Sequence, residues 1–134
     1  MTSLYKNMNK QILFIEDEEV MQKAVGEFLG TKGYDVISAM DGELGVRAAR
    51  QKLPDLILLD LILPKKSGFD VLKDLRADPI TKLIPVIVLT NLSEMGDIGK
   101  VLELGVTTYL VKSDQSLKDI FAVVEKTIGG AEKG

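Results

Sequence analysis

Residues 56–68 read LILLDLILPKKSG, and the position of the carboxylate at Asp60 decides the fold. Four apolar residues, Leu56 to Leu59, lead into it without a polar interruption, so neither face of this segment is meant for water. Such a run suits a strand of a parallel sheet covered by helices on both faces, where polar–apolar alternation is not required. The charge then marks the point at which the chain leaves the sheet. Pro64 and the pair Ser67-Gly68 carry it through a loop into a helix, with Ser67 and Asp70 spaced as a capping box.

The pattern continues in both directions. Gln11–Glu16 (QILFIE), Tyr34–Ala39 (YDVISA), Asp55–Asp60 (DLILLD), Pro85–Thr90 (PVIVLT) and Val106–Val111 (VTTYLV) are short and largely rich in β-branched or aromatic residues, the composition of strands. Between them the apolar spacing is helical. Val20, Met21, Ala24, Val25, Phe28 and Leu29 share one face of a helix that Gly33 terminates. Leu117, Ile120, Phe121, Val124 and Ile128 form a similar stripe in the last helix, for which Ser116 and Asp119 offer a capping box. Asp41 is placed to cap a helix from Glu43 to about Gln51 that Pro54 bounds, and Ser93–Leu104 makes the fourth helix.

The result is a βα unit repeated five times. Right-handed crossovers turn that repeat into a flavodoxin-like (βα)5 doubly wound α/β sandwich, a five-stranded parallel sheet of order 2-1-3-4-5. One domain over residues 11–128 is expected, with residues 1–10 a polar extension and residues 129–134 (GGAEKG) a flexible tail.

Composition narrows the chemistry. Among 134 residues there is no cysteine and no histidine, which excludes a disulfide framework, a thiolate metal site and the commonest general base. Carboxylates, hydroxyls and lysines remain. The formal net charge of −3 offers no basic footprint for nucleic acid or an anionic membrane. No apolar run approaches the roughly 18 residues of a membrane span, and the start MTSLYKNMNK lacks the apolar stretch of a secretory signal. A cytoplasmic protein is expected.

In an open α/β sheet ligands bind beyond the carboxyl ends of the strands. Strand one ends in Glu16 and Asp17, strand three in Asp60, strand four in Thr90, and strand five runs into Lys112. Carboxylates brought together there repel, and more strongly in a partly desolvated crevice than in water. A divalent cation relieves that repulsion. With oxygen ligands alone the expected ion is hard, Mg²⁺ with Mn²⁺ as an alternative, sharing its shell with waters and a phosphoryl group. A carboxylate already ionised at neutral pH can attack phosphorus without a general base. In an aspartyl phosphate the metal, the Lys112 ammonium and the Thr90 hydroxyl would then each take one phosphoryl oxygen.

Glu16-Asp17, Asp60 with Pro64 and Gly68 (D-x-x-x-P-x-x-x-G), Thr90 and Tyr109-x-x-Lys112 together resemble the CheY-like receiver domain of two-component response regulators, over about residues 10–128. The resemblance implies that Asp60 accepts a phosphoryl group from a phosphohistidine on a sensor histidine kinase or a histidine phosphotransfer protein. It implies that Glu16, Asp17, Asp60 and the backbone carbonyl of Ile62 hold Mg²⁺. It also makes Thr90 and Tyr109 switch residues, changing the face formed by helix four, strand five and helix five toward a downstream protein partner. A domain of this kind modifies itself and is not expected to be an enzyme. The rival expectations are a degenerate receiver that binds proteins without phosphorylation and a flavodoxin-like cofactor binder, the latter opposed by EDEE (Glu16–Glu19) where a phosphate loop would be needed.

Several positions carry further expectations. Glu16 stands where the family more often has Asp, Ser113 where a proline commonly follows the lysine, and Asn91 where a small residue is usual and access to the phosphoryl group is narrowed. Glu18 and Glu19 are assigned only to the helix N-terminus, where acidic residues favour the macrodipole. Gly96 and Gly99 make the fourth helix locally marginal. Ile62 and Leu92, both apolar, are expected to flank the phosphoryl group and, unable to orient a hydrolytic water, to prolong its lifetime.

Overall fold

The computed structural model describes residues 10–93 and 95–133. Its elements run β1 (Gln11–Ile15), α1 (Glu19–Thr31), β2 (Asp35–Ala39), α2 (Gly42–Lys52), β3 (Leu56–Leu59), α3 (Gly68–Ala77), β4 (Val86–Thr90), α4 (Met95–Glu103), β5 (Thr108–Val111), a single 3₁₀ turn (Lys112–Asp114) and α5 (Leu117–Lys133). The five strands pair in parallel in the order β2-β1-β3-β4-β5. The α/β sandwich and its strand order are therefore those the sequence implies.

The uninterrupted apolar strands are explained by two cores. Alternate residues of each strand point to opposite faces. Leu13, Ile15, Ile57, Leu59 and Val88 pack with Ala49 of α2, Val71, Leu72 and Leu75 of α3 and Val101 of α4. Ile12, Phe14, Leu56, Leu58, Ile87 and Leu89 pack on the other face with Val25 and Leu29 of α1 and Ile120, Val124 and Ile128 of α5. All four residues of β3 are fully buried, as the central strand of such a sandwich must be.

The helix starts are built as the side-chain spacing indicates. Asp41 accepts from the Leu44 N–H at 2.8 Å, and Ser67 Oγ accepts from the Asp70 N–H at 3.2 Å. At α5 the box is reciprocal: the Asp119 N–H donates to Ser116 Oγ at 3.0 Å while the Ser116 N–H donates to Asp119 at 2.8 Å. Gly105, with φ +83°, follows α4 in a conformation that favours glycine. Beside it the Arg76 side chain binds main-chain carbonyls: Nε donates to Leu104 O at 3.1 Å, and one terminal nitrogen donates to Lys82 O and Ile84 O at 3.0 Å each. Burial lowers the Arg76 pKa.

Two boundaries differ from expectation. α5 does not stop at Ile128 but continues through Gly129 and Gly130 to Lys133, so the stretch read as a flexible tail is largely helix. β5 is shorter than its apolar run, because Val106, though buried, lies between the Leu104–Gly105 turn and the strand start at Thr108. Of the N-terminal extension, residues 1–9 lie outside the described residues; Lys10 accepts from the Asp35 N–H beside β1.

Candidate functional site

Register delivers the acidic groups to one rim. Ile15 of β1 pairs with Leu59 of β3, and the Asp60 N–H donates to Ile15 O at 3.0 Å, so Glu16 and Asp60 leave adjacent strands side by side. Oxygens of Glu16, Asp17 and Asp60 all lie within 4.8 Å of one another. Glu16 and Asp60 are buried while Asp17 is exposed, so the cluster opens to solvent on one side. On the other flank Thr90 pairs with Val111, the residue before Lys112.

Lys112 closes the constellation. Its ammonium lies 2.9 Å from Asp60 Oδ2, 2.8 Å from Glu18 Oε1 and 2.7 Å from Glu16 Oε1, although its side chain is only 9% exposed. Burial by itself would lower the lysine pKa; the carboxylates of Glu16, Glu18 and Asp60 gathered at its ammonium outweigh it and drive the pKa well above the usual lysine range. The lysine is therefore a fixed cation. The second oxygen of Asp60, Oδ1, accepts from the Ile62 N–H at 3.2 Å.

Glu16 is the strained member. Its carboxyl titrates above the ordinary carboxylate range, first because burial penalises the charged form; the Lys112 contact and the Glu18 N–H oppose this, and the Asp60 charge adds to it. Oε2 accepts from the Glu18 N–H at 3.0 Å. Oε1 is buried and lacks a hydrogen-bond partner despite its closeness to Lys112: the approach is an ion-pair contact without the alignment of a hydrogen bond. A buried carboxylate oxygen without a donor, beside two further carboxylates, is a donor set that suits a hard divalent cation. The residues present fit Mg²⁺ or Mn²⁺.

The loop after Asp60 has a steric requirement that explains its glycine. A Cβ at Gly68 would fall 2.3 Å from the Asp60 carbonyl oxygen and 2.5 Å from Leu61 Cα. The Gly68 N–H donates to Leu61 O at 2.9 Å, so the first residue of α3 lies directly against the strand end that presents Asp60. Ser67 supplies the cap and Gly68 the close approach.

The remaining predicted residues fall as follows. Thr90 is fully buried, and its hydroxyl oxygen receives a long 3.5 Å contact from the Leu92 N–H. Tyr109 is half-buried, donating its hydroxyl to Leu92 O at 2.7 Å, and burial followed by the charges of Asp97 and Asp60 raises its pKa. Asn91 Oδ1 accepts from the Ser113 N–H at 3.1 Å, so this side chain links the loops after β4 and β5. All peptide bonds among the described residues, including Lys112–Ser113, are trans. Ile62 is exposed, whereas Leu92 is half-buried against the core beneath α3 and α4.

Glu18 corrects an expectation. It occupies the N-cap position of α1 but makes no capping bond with its side chain, which goes to Lys112 instead. Gln22 escaped notice altogether. Its amide nitrogen lies within 2.9 Å of Phe14 O, 3.0 Å of Glu16 O and 3.2 Å of Ala39 O, tying the first turn of α1 to the ends of β1 and β2. Apolar spacing carries no mark of a glutamine whose partners are main-chain atoms.

Residues 12–125 match the response regulator receiver domain. The chain belongs to that family. This receiver domain is 42% identical over 105 residues to the alkaline phosphatase synthesis transcriptional regulatory protein PhoP of Bacillus subtilis, a match covering 78% of the chain and 43% of that protein. It is 39% identical over 128 residues to response regulator Rcp1 of Synechocystis sp., covering 89% of the chain and 86% of Rcp1. The solved Mn²⁺-bound form of Rcp1 superposes with a TM-score of 0.73 at 38% identity, covering 87% and 92% of the two chains. The receiver domain of sensor histidine kinase PA1611 from Pseudomonas aeruginosa PAO1, solved with a magnesium ion coordinated in its active-site cleft, superposes with a TM-score of 0.81 at 31% identity, covering 90% and 98%. This receiver domain thus spans less than half the length of PhoP and most of Rcp1. Among the described residues no helix is long and apolar enough to cross a membrane.

Proposed function

We propose that this receiver domain accepts a phosphoryl group on Asp60 from a phosphohistidine of a sensor histidine kinase or histidine phosphotransfer protein, in a Mg²⁺-dependent reaction, and thereby alters its α4-β5-α5 face toward a downstream protein partner. The observation that carries the reading is the Lys112 ammonium 2.9 Å from the Asp60 carboxylate, within a trio of carboxylates suited to a divalent cation. Asp60 is the nucleophile. Both of its oxygens are engaged by donors, which fixes the orientation of the carboxylate before the cation binds. Glu16, Asp17, Asp60 and the Ile62 carbonyl would hold the cation, Mg²⁺ with Mn²⁺ as a substitute. It would supply neutralisation of phosphoryl charge at a site that is already anionic. Lys112 takes one phosphoryl oxygen and Thr90 another.

The switch runs from Thr90 to Tyr109 through Leu92. The Tyr109 hydroxyl and the Thr90 hydroxyl both contact the Leu92 main chain. A new bond drawing Thr90 toward Asp60 therefore disturbs the segment that holds Tyr109. The acting unit is residues 11–128, working in the cytoplasm without direct contact to nucleic acid or membrane. It changes itself rather than turning over a substrate, and the family is generally not classed with enzymes.

Incubation with acetyl phosphate and Mg²⁺ tests the reading by intact mass. Wild type gains one phosphoryl group; Asp60→Asn, or wild type in EDTA, gains none. Failure of wild type to react, together with unaltered partner binding in the presence of beryllofluoride, would favour the alternative of a phosphorylation-independent interaction module.

A further inference from the structure

Glu18 has a contact that the proposed function leaves without a purpose. Its Oε1 accepts from Lys112 Nζ at 2.8 Å across 94 positions of sequence, and its own N–H donates to Glu16 Oε2 at 3.0 Å. One residue thus braces a carboxylate of the acidic trio with its main chain and holds the ammonium with its side chain. Of the three carboxylates around Lys112, Glu16 and Asp60 belong to the trio and are buried, while Glu18 lies outside it with a side chain 59% exposed.

Resting on the reading that Glu16, Asp17 and Asp60 hold a divalent cation, we propose that Glu18 is a positioning residue that retains Lys112 at the rim of the site while Glu16 and Asp60 serve the metal. The ammonium and a divalent cation compete for the same two carboxylates and repel each other at short range. Once Glu16 and Asp60 give their oxygens to the cation, Lys112 loses two of its three anionic contacts. A largely buried ammonium left without a counter-charge is costly. Glu18 preserves the third contact, and its exposed carboxylate can shift outward with the ammonium without surrendering it. Without Glu18, Lys112 remains committed to Glu16 and Asp60, and metal binding must break that commitment.

The test is Mn²⁺ binding, followed by electron paramagnetic resonance of the free ion, in wild type, Glu18→Gln, Glu19→Gln, Lys112→Met and the Glu18→Gln/Lys112→Met double variant. Glu19 is exposed in the first turn of α1 and serves as a charge-matched control. Glu18→Gln is expected to weaken Mn²⁺ binding by roughly three- to fivefold, the scale of an exposed charge pair, and Glu19→Gln by less than about twofold. In the Lys112→Met background the effect of Glu18→Gln should vanish, because the residue acts through the lysine. A Glu18→Gln protein that binds like Glu19→Gln, or an effect of full size persisting without Lys112, overturns the inference. Wild type that binds no Mn²⁺ overturns the proposed metal site and this inference with it.

Discussion

Glu16 couples stability to pH in a direction opposite to most carboxylates. Its folded pKa lies above its ordinary value of 4.5, so the folded state holds the proton more tightly than the unfolded chain. Below about 4.5 both states are protonated and the group is neutral in its effect; as pH rises through the raised folded value the ionised form increasingly opposes folding. Glu16→Gln should therefore stabilise the metal-free protein at pH 7, with the gain fading toward pH 4.5. In saturating Mg²⁺ the order should reverse, since only wild type gains full stabilisation from binding. Thermal melts with EDTA and with Mg²⁺ across that pH range check both signs. Ile62→Asn is the clean test of phosphoryl lifetime, because Ile62 is exposed while Leu92 also serves the core. Faster loss of phosphate is expected, and unchanged decay would show that the side chain points elsewhere. At this scale Glu16, Asp17, Asp60 and Lys112 were legible because each stands at or just beyond a strand end. Glu18 was not: in EDEE neighbouring carboxylates are chemically alike, and only the torsions after Ile15 decide which ones reach the lysine.

Among the elements, α4 and α5 are held in contrasting ways. α4 is short, fully buries only Val101 and contains two glycines at which an added Cβ meets nothing within 4 Å. Gly99→Ala should stabilise it by up to about 1 kcal/mol and raise amide-exchange protection across residues 95–103. Wild-type protection there should fall below that of α1, and equal protection would refute the idea of a marginal helix. The reciprocal box at α5 makes the opposite case: Ser116→Ala should cost about 1 kcal/mol in a denaturant titration. The Ser116 main-chain N–H and hydroxyl contacts hold the Asp119 carboxyl below the ordinary range. Its contribution is present above pH 3.8 and lost as pH falls through the folded value. The caps could be read because each is a pair of side chains at fixed spacing. The end of α5 could not, since Gly129-Gly130 resembles a breaker until Ile128 is seen anchored in the core and Gly129 buried behind it.

Across the whole molecule, the strand order followed from the βα repeat because handedness leaves few ways to wind five such units. What the repeat does not convey is how unequally the two helical layers are fastened. α1 and α5 are joined by Phe28 and Phe121, edge-on at 6.3 Å between ring centroids, with the Lys32 ammonium 5.3 Å and 5.1 Å from those rings. The Tyr34 hydroxyl, donating to Glu125 at 3.0 Å, adds a polar link. Phe121→Ala should therefore lower global stability in a denaturant titration, with little effect on Mn²⁺ affinity at the distant acidic rim.

Arg76 gives the opposite layer a pivot. By gripping Leu104 O together with Lys82 O and Ile84 O, it pins the far end of α4 to the segment leading into β4. The near end, by Met95, hangs from the same Leu92 segment that Tyr109 touches. α4 is thus mounted like a door, hinged at its last turn and joined at its first to the segment that Tyr109 holds. Paired distance labels should record a swing that widens from residue 103 toward residue 93.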